Sequence, residues 1–182
     1  KVWRAAFHGW RDSTAAALVL IAAAAVAIVS ARSYAGGWND GSRLATVESL
    51  VDHRTLAIDR SIFVQVPSRG ESTVPPPYPP DEPDLLAEGT RDKLLINGRF
   101  YSDKSPVPAF LMAGVYQGLQ WTTGLRAGER PDRFCYWMTL GSSGLAYVIA
   151  VWSIFQLGVP LRLPLALRLA LTASFGLATV AL

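Results

Sequence analysis

One stretch near the start of the chain carries no charge and limits what the chain can fold into. Residues 13–31 (STAAALVLIAAAAVAIVSA) are nineteen consecutive uncharged and mostly apolar residues. At a rise of about 1.5 Å per residue, a helix of this length crosses most of a hydrocarbon core of roughly 30 Å. The stretch therefore predicts a membrane-spanning helix.

A secretory signal peptide is the alternative interpretation of the same stretch. Basic residues Lys1, Arg4 and Arg11 precede it, and small residues lie near Ala31, as in a cleavable signal. The apolar cores of signal peptides, however, run to roughly 7–15 residues, and further apolar segments follow along this chain. Both points favour a membrane span.

The charged residues are distributed unevenly along the chain. Twenty of the 31 lie between residues 32 and 106, and only two lie between 134 and 182. A single soluble core does not have this pattern, because soluble domains carry about 25% charged residues throughout. The sequence therefore predicts a membrane-embedded chain with one long polar segment.

Three further apolar segments follow the polar one. They predict spans at 107–125, 134–157 and 163–182, the last of which carries Arg168. Together with the first span they predict an all-α membrane protein of about four transmembrane helices, with a juxtamembrane helix and a long extracytoplasmic loop.

Basic residues outside the apolar segments predict the orientation of these spans. The N-terminal segment 1–12 and the loop 126–133 each carry three, and such segments are preferentially retained in the cytoplasm. Residues 32–106 and the short loop 158–162 then lie on the outer side. Aromatic residues among the first twelve also favour an interfacial position for that segment.

The two ends of the sequence differ from those of a complete membrane protein. The chain starts at Lys1 instead of methionine and stops at Leu182 inside an apolar run. We therefore expect the N-terminal fragment of a larger protein, with its fourth span truncated.

Three local patterns lie inside the long polar segment. Residues 41–52 place apolar side chains at helical spacing, which predicts an amphipathic juxtamembrane helix. The proline-rich run 74–83 (VPPPYPPDEP) predicts an extended loop. Asn97-Gly98 between apolar pairs is typical of a tight hairpin turn.

Several function classes lose support from composition and motifs. Cys135 is the one cysteine, so the chain has neither an internal disulfide nor a multi-cysteine zinc site. The sequence contains no Walker loop, GxGxxG or nucleophile elbow, which are the usual signatures of nucleotide binding and serine hydrolysis. The net charge of +3 comes from scattered residues, so we expect no nucleic-acid partner.

Asp40 is the first candidate for chemistry, because it lies nine residues beyond the first predicted span, ahead of the predicted helix. A carboxylate there could act as a general base toward an acceptor hydroxyl or bind a divalent cation. Its alternative role is a helix N-cap. Arg43 and Glu48, on the same helix, are weaker candidates whose alternative is a solvated helix surface.

The second candidate cluster immediately precedes the second predicted span. Lys104 could hold a lipid phosphate or diphosphate at headgroup depth, or could extend to the headgroups as an anchor alone. Tyr101 and Asp103 belong to the same motif. His8 and His53 have no companions at metal-ligand spacing.

In order and motif the chain resembles the start of a GT-C superfamily integral-membrane glycosyltransferase, of the branch that holds protein mannosyltransferases and aminoarabinose transferases (family 39-like). The resemblance rests on an acidic residue at the head of a juxtamembrane helix and on a Tyr-Ser-Asp-Lys-Pro-Pro-like sequence that opens the next span. Those sequences are Trp38-Asn39-Asp40-Gly41-Ser42-Arg43-Leu44-Ala45 and Tyr101-Ser102-Asp103-Lys104-Ser105-Pro106-Val107-Pro108.

The resemblance implies transfer of a sugar from a polyprenyl-phosphate donor to a lipid, glycan or protein acceptor on the outer face, with membrane lipid as a further partner. It implies that Asp40 is the catalytic base and that Lys104 contacts the lipid phosphate. Arg43, Glu48, Tyr101 and Asp103 become substrate-binding candidates. The implied location is the bacterial inner (cytoplasmic) membrane, with the N-terminus in the cytoplasm.

Two departures from the family pattern bear on the chemistry. Ser105 replaces the first proline of the Lys-Pro-Pro form, and Asp40 stands alone where many relatives carry an acidic pair. The second departure leaves the metal, and hence any divalent-cation cofactor, undetermined. The alternative function is a non-catalytic polytopic membrane protein, such as a transporter part or an assembly subunit.

Overall fold

The computed structural model describes residues 2–67 and 74–180, with side chains described from residue 12 to residue 178 within those ranges. This part of the chain is mostly helical. Its elements in chain order are α1 (Val2–Ser30), α2 (Trp38–Asp52), α3 (Pro83–Glu88), β1 (Lys93–Ile96), β2 (Arg99–Ser102), α4 (Pro106–Thr123), α5 (Pro131–Thr139), a π-helical turn (Leu140–Gly144), α6 (Leu145–Leu157) and α7 (Leu165–Val180).

Two helical stretches of the described chain are long and apolar enough to cross a membrane, namely Asp12–Ser30 and Pro131–Leu157. The first confirms a helix at 13–31 and the second contains the predicted 134–157, which indicates association with a membrane. The predicted interfacial side chains before Asp12 lie outside the described ones.

The expectation of four spans is not confirmed. Helices do form at the other two predicted places, as α4 and α7. In α7 the apolar stretch is Leu165–Ala178, which includes the charged Arg168 and is shorter than a full span, and α4 does not reach the hydropathy of one. Glycine, proline and glutamine in α4 dilute its apolar residues.

The chain divides into two compact units. The helical unit contains α1, α6 and α7, and α6 packs against both of the other helices. In this unit the Arg168 side chain is buried, with Nε donating to the Phe155 carbonyl (3.2 Å) and Nη1 contacting Asp12 Oδ2 (3.1 Å). A buried charge needs such partners, so this arginine is held inside its unit.

The mixed unit is Arg32–Gly141. Helix α2 packs along α4 and against β2, and more than half of its residues are buried. The helix begins at Trp38, three residues earlier than predicted, and its buried face lies against protein. The largest fully buried side chains around it are Tyr78, Tyr116, Phe63, Phe134, Ile58 and Met138.

The proline-rich run is free of helix and strand up to residue 82, as predicted, and its last residue, Pro83, begins α3. The run is nevertheless part of the core. Its Tyr78 side chain is 1% exposed and donates from its hydroxyl to the Phe63 carbonyl (2.8 Å). The Ala35 amide donates to the Pro77 carbonyl (2.8 Å). A segment without regular backbone pairing is thus fixed by one buried ring and a few hydrogen bonds.

The predicted hairpin at Asn97-Gly98 is confirmed. Both residues have positive φ (51° and 76°), which a tight turn of this type requires and which asparagine and glycine tolerate. The strands pair antiparallel, with Lys93 opposite Ser102 and Leu94 opposite Tyr101. The all-α expectation is therefore corrected by one two-stranded sheet.

Candidate functional site

The first turn of α2 presents Asp40 on the surface. The N-cap of this helix is Gly37, three residues before Asp40, so the interpretation of Asp40 as the N-cap is wrong. Asp40 instead lies within the first turn and accepts a hydrogen bond from the Gly36 amide (3.2 Å). A carboxylate is stabilised near a helix N-terminus because it interacts favourably with the helix dipole. Asp40 is exposed and thus accessible to a substrate.

A guanidinium group that sequence reasoning missed flanks the same glycine. A Cβ placed on Gly36 would lie 2.7 Å from Arg32 Nη1 and 3.1 Å from Asp40 Oδ2. The two charged side chains therefore converge on the space above Gly36. The signal in the sequence was a lone arginine directly after the first span, which is indistinguishable from an ordinary membrane anchor.

The turn that carries Asp40 is clamped by the proline-rich segment. A Cβ on the next residue, Gly41, would lie only 2.1 Å from the Tyr78 hydroxyl oxygen. Only glycine leaves room for that ring, and Gly41 is itself buried. Tyr78 therefore packs directly against the backbone beside Asp40, the catalytic candidate.

A chain of hydroxyl groups joins the head of α2 to the Tyr101–Lys104 motif. Ser42 Oγ donates to the Asp92 carbonyl (2.6 Å) and lies 2.6 Å from Ser102 Oγ. The Lys104 amide donates to Ser102 Oγ (3.2 Å). Because the single Ser42 hydroxyl proton is used in the bond to Asp92, the Ser102 hydroxyl is the donor in the bond between the two serines. The two sequence motifs, sixty residues apart, meet through this contact, with Asp40 and Lys104 each two residues from it.

Lys104 lies between two carboxylates. Its Nζ is 2.9 Å from Asp103 Oδ2 and 3.1 Å from Asp92 Oδ2, and 22% of its side chain is exposed. The hydrogen bonds to Asp103 and then to Asp92 raise the pKa of Lys104 above its usual value. The ammonium is therefore charged at neutral pH, and the three groups together carry a net charge of −1. An anionic ligand would have to displace one carboxylate from Lys104.

Two further candidates, Tyr101 and Arg43, lie on β2 and on α2. Tyr101 is half-buried and pairs through its main chain with Ala57 as an isolated bridge. Next to it, the Ile58 amide donates to the Phe100 carbonyl (2.8 Å). Arg43 is exposed on the first turns of α2. The main-chain contacts of β2 thus orient the motif that ends in Lys104.

Glu48 is buried, which corrects its interpretation as a solvated helix charge. The residue is 2% exposed, and its Oε2 accepts hydrogen bonds from the Ser61 hydroxyl (2.6 Å) and the Ile62 amide (3.1 Å). Burial raises the pKa of Glu48 to about 7, an increase that these hydrogen bonds oppose and nearby Asp52 adds to. The carboxyl group holds residues 61–62 against α2.

Asp52, at the end of α2, anchors a second polar network that sequence reasoning missed. It accepts from the Tyr116 hydroxyl (2.8 Å) and from Gln120 Nε2 (2.5 Å). The same Tyr116 oxygen accepts from the Ala127 amide (2.7 Å). The sequence did carry one signal for this network. Glu48 and Asp52 are four residues apart, so both acidic residues lie on one face of the helix, together with apolar residues.

Within the described residues, no group of three His, Cys, Asp or Glu side chains is placed to hold a metal ion. No family model, curated protein or solved structure matches the chain. The site is therefore defined by its own geometry, in which the segment that carries the exposed Asp40 and the segment that carries Lys104 meet at the Ser42–Ser102 contact.

Proposed function

We propose that this chain is part of a membrane glycosyltransferase that moves a sugar from a polyprenyl-phosphate donor to a lipid, glycan or protein acceptor. The observation that carries the proposal is the Ser42–Ser102 contact at 2.6 Å, because it brings together the two motifs on which the resemblance to the GT-C glycosyltransferases depends. The reaction would take place on the outer face of a bacterial inner membrane, with the N-terminus in the cytoplasm.

In the proposed reaction, Asp40 accepts the proton of the acceptor hydroxyl. The acceptor oxygen forms a bond to the anomeric carbon of the sugar, and the bond from that carbon to the phosphate oxygen breaks. The leaving polyprenyl phosphate takes the bonding electron pair and gains negative charge. Lys104, released from one of its carboxylates, would offset that charge, since preorganised cations at a departing phosphate lower the barrier.

The other candidates have supporting parts in the proposal. Arg43, exposed one turn after Asp40, would contact the donor. Tyr101 and Asp103 precede Lys104 in the same motif and would bind the substrate, with Asp103 exchanging Lys104 for the sugar or for a divalent cation. Glu48 has the weakest claim to a substrate contact, because its carboxyl group is bonded to Ser61.

The test is sugar transfer by the full-length protein in membranes, with polyprenyl-phosphate-linked mannose and aminoarabinose as donors. We expect Asp40→Asn to lower the rate by roughly 10²–10⁴-fold, the usual contribution of a general base. Asparagine can still accept from the Gly36 amide, so the turn is kept. The matched control is Asp84→Asn, which changes an exposed acid in the first turn of α3.

Lys104→Ala tests the second role. We expect weaker binding of a long-chain polyprenyl phosphate, measured on the purified full-length protein, while Lys93→Ala on the hairpin keeps the affinity. Full transfer activity in both Asp40→Asn and Lys104→Ala would contradict the proposal and favour the non-catalytic alternative.

A further inference from the structure

Helix α4 has two faces of different character. Its inner face packs into the mixed unit through Ala109 and Tyr116, which are 5% and 0% exposed. The whole helix carries no charged residue. Its outer face is an exposed apolar stripe, which consists of Val107 (64%), Phe110 (52%), Leu111 (71%), Val115 (44%) and Trp121 (81%).

The partner of the inner face argues against a transmembrane position for α4. Helix α2 lies along it, from the Ser42–Ser102 contact ahead of its first residue to the Asp52–Tyr116 hydrogen bond near its last turns. Helix α2 carries four charged residues. If α4 crossed the bilayer, α2 would enter with it, at about 2.5–3.5 kcal/mol for each charge near the centre.

The segments on either side of α4 also meet in one core. The Phe134 ring lies 5.9 Å from Phe63 and 4.6 Å from Tyr116, between ring centroids. A Cβ on Gly128 would lie 4.0 Å from Ile62 Cγ2. Residues 62–63 precede α4 and residues 128–134 follow it, so a bilayer of roughly 30 Å does not separate them.

We propose that α4 lies in the plane of the membrane surface, with its apolar stripe in the boundary between lipid headgroups and acyl chains. This inference goes beyond the proposed function. It replaces the predicted second span at 107–125 and places the loop 126–133 on the same side of the membrane as residues 32–106.

A lipid bilayer is the occupant that fits the stripe. The candidate span Asp12–Ser30 ends two residues before the mixed unit begins at Arg32, so the unit is tethered beside lipid. Arg126, whose side chain is 64% exposed, follows the stripe, as suits anionic headgroups at that end. Trp121, the most exposed residue of the stripe, is of the type that prefers headgroup depth.

The first test is the sidedness of two thiols in oriented membrane vesicles that contain the full chain. The variants are Ala87→Cys on α3 and Gly128→Cys after α4; both positions are exposed. The native chain is the blank, because Cys135 is buried. A membrane-impermeant maleimide should label both variants from the same side, and labelling in detergent shows beforehand that each thiol is reactive. Labelling from opposite sides would overturn the proposal.

The second test asks what covers the stripe. A bimane fluorophore on Leu111→Cys should lose emission in vesicles that contain brominated lipids, and Val107→Cys repeats the measurement at a second stripe position. The same fluorophore on Ala87→Cys is the control and should keep its emission. Unquenched emission at both stripe positions would mean that protein or water covers the stripe, and would overturn the proposal.

Discussion

The buried carboxyl group of Glu48 should make the stability of the mixed unit depend on pH. Burial raises its pKa from the ordinary value of 4.5 to about 7 in the folded protein. Below pH 4.5 the group is protonated in both states, and the folded state has no charge to bury. Between pH 4.5 and 7 the unfolded chain releases the proton while the folded chain keeps it, so stability falls as the pH rises.

The size of the effect follows from the two pKa values. Each pH unit between them is worth about 1.4 kcal/mol in the free energy of unfolding. Over the whole interval the loss is about 3 kcal/mol, complete above pH 7. Glu48→Gln removes the titration, and its amide oxygen can still accept from Ser61 and Ile62. The unfolding free energy of the variant minus that of the native protein should therefore rise by about 3 kcal/mol between pH 4.5 and pH 8.

The assay is denaturant unfolding of the detergent-solubilised protein, followed by tryptophan fluorescence at several pH values. The quantity compared is the difference in unfolding free energy between native protein and variant, in which the other titrating groups cancel. Ser61→Ala is a second variant, and it should extend the pH-dependent interval upward, because the Ser61 hydrogen bond lowers the pKa of Glu48. Parallel pH profiles for native protein and Glu48→Gln would refute the reasoning.

Two further predictions concern packing and hydrogen bonding around α2. Gly41→Ala should lower the unfolding free energy by about 1–3 kcal/mol, since its Cβ would overlap the Tyr78 hydroxyl, whereas Gly114→Ala, with open space at its Cβ, should not destabilise. Equal midpoints in denaturant unfolding for the two alanine variants would contradict this. Tyr116→Phe should lower the unfolding free energy by about 1–3 kcal/mol in the same assay, because it removes one hydrogen-bond donor to Asp52 and the acceptor of the Ala127 amide. A change within experimental error would contradict this and would show that water replaces the hydroxyl.

Features set by neighbouring residues could be predicted from the sequence. The uncharged run at 13–31 became the apolar part of α1, and Asn97-Gly98 became the turn of the hairpin. In each case the deciding physics is local, namely hydropathy along one helix or the backbone preference of two residues. The heads of α2 and of the 101–104 motif could be named as candidates for the same reason.

The contacts that assemble the site could not be predicted in this way. The burial of Glu48 depends on Ser61, and that of Gly41 depends on Tyr78, and both partners lie in segments without helical or alternating periodicity. Hydropathy also shows that one face of α4 is apolar without showing what covers it. The position of α2 along its other face argues against a span, and that packing is a property of the tertiary structure.

The proposed site depends most directly on the meeting of the two motifs at Ser42 and Ser102. The measurement is disulfide formation in the double variant Ser42→Cys/Ser102→Cys after mild oxidation of the protein in membranes, detected by a gel shift that reductant reverses. Because the two oxygen atoms are 2.6 Å apart in the native pair, we predict a near-complete intramolecular disulfide in the double variant. Each single variant should form none, since the other cysteine of the chain, Cys135, is buried. A double variant whose thiols both remain free after oxidation would contradict the proposed site.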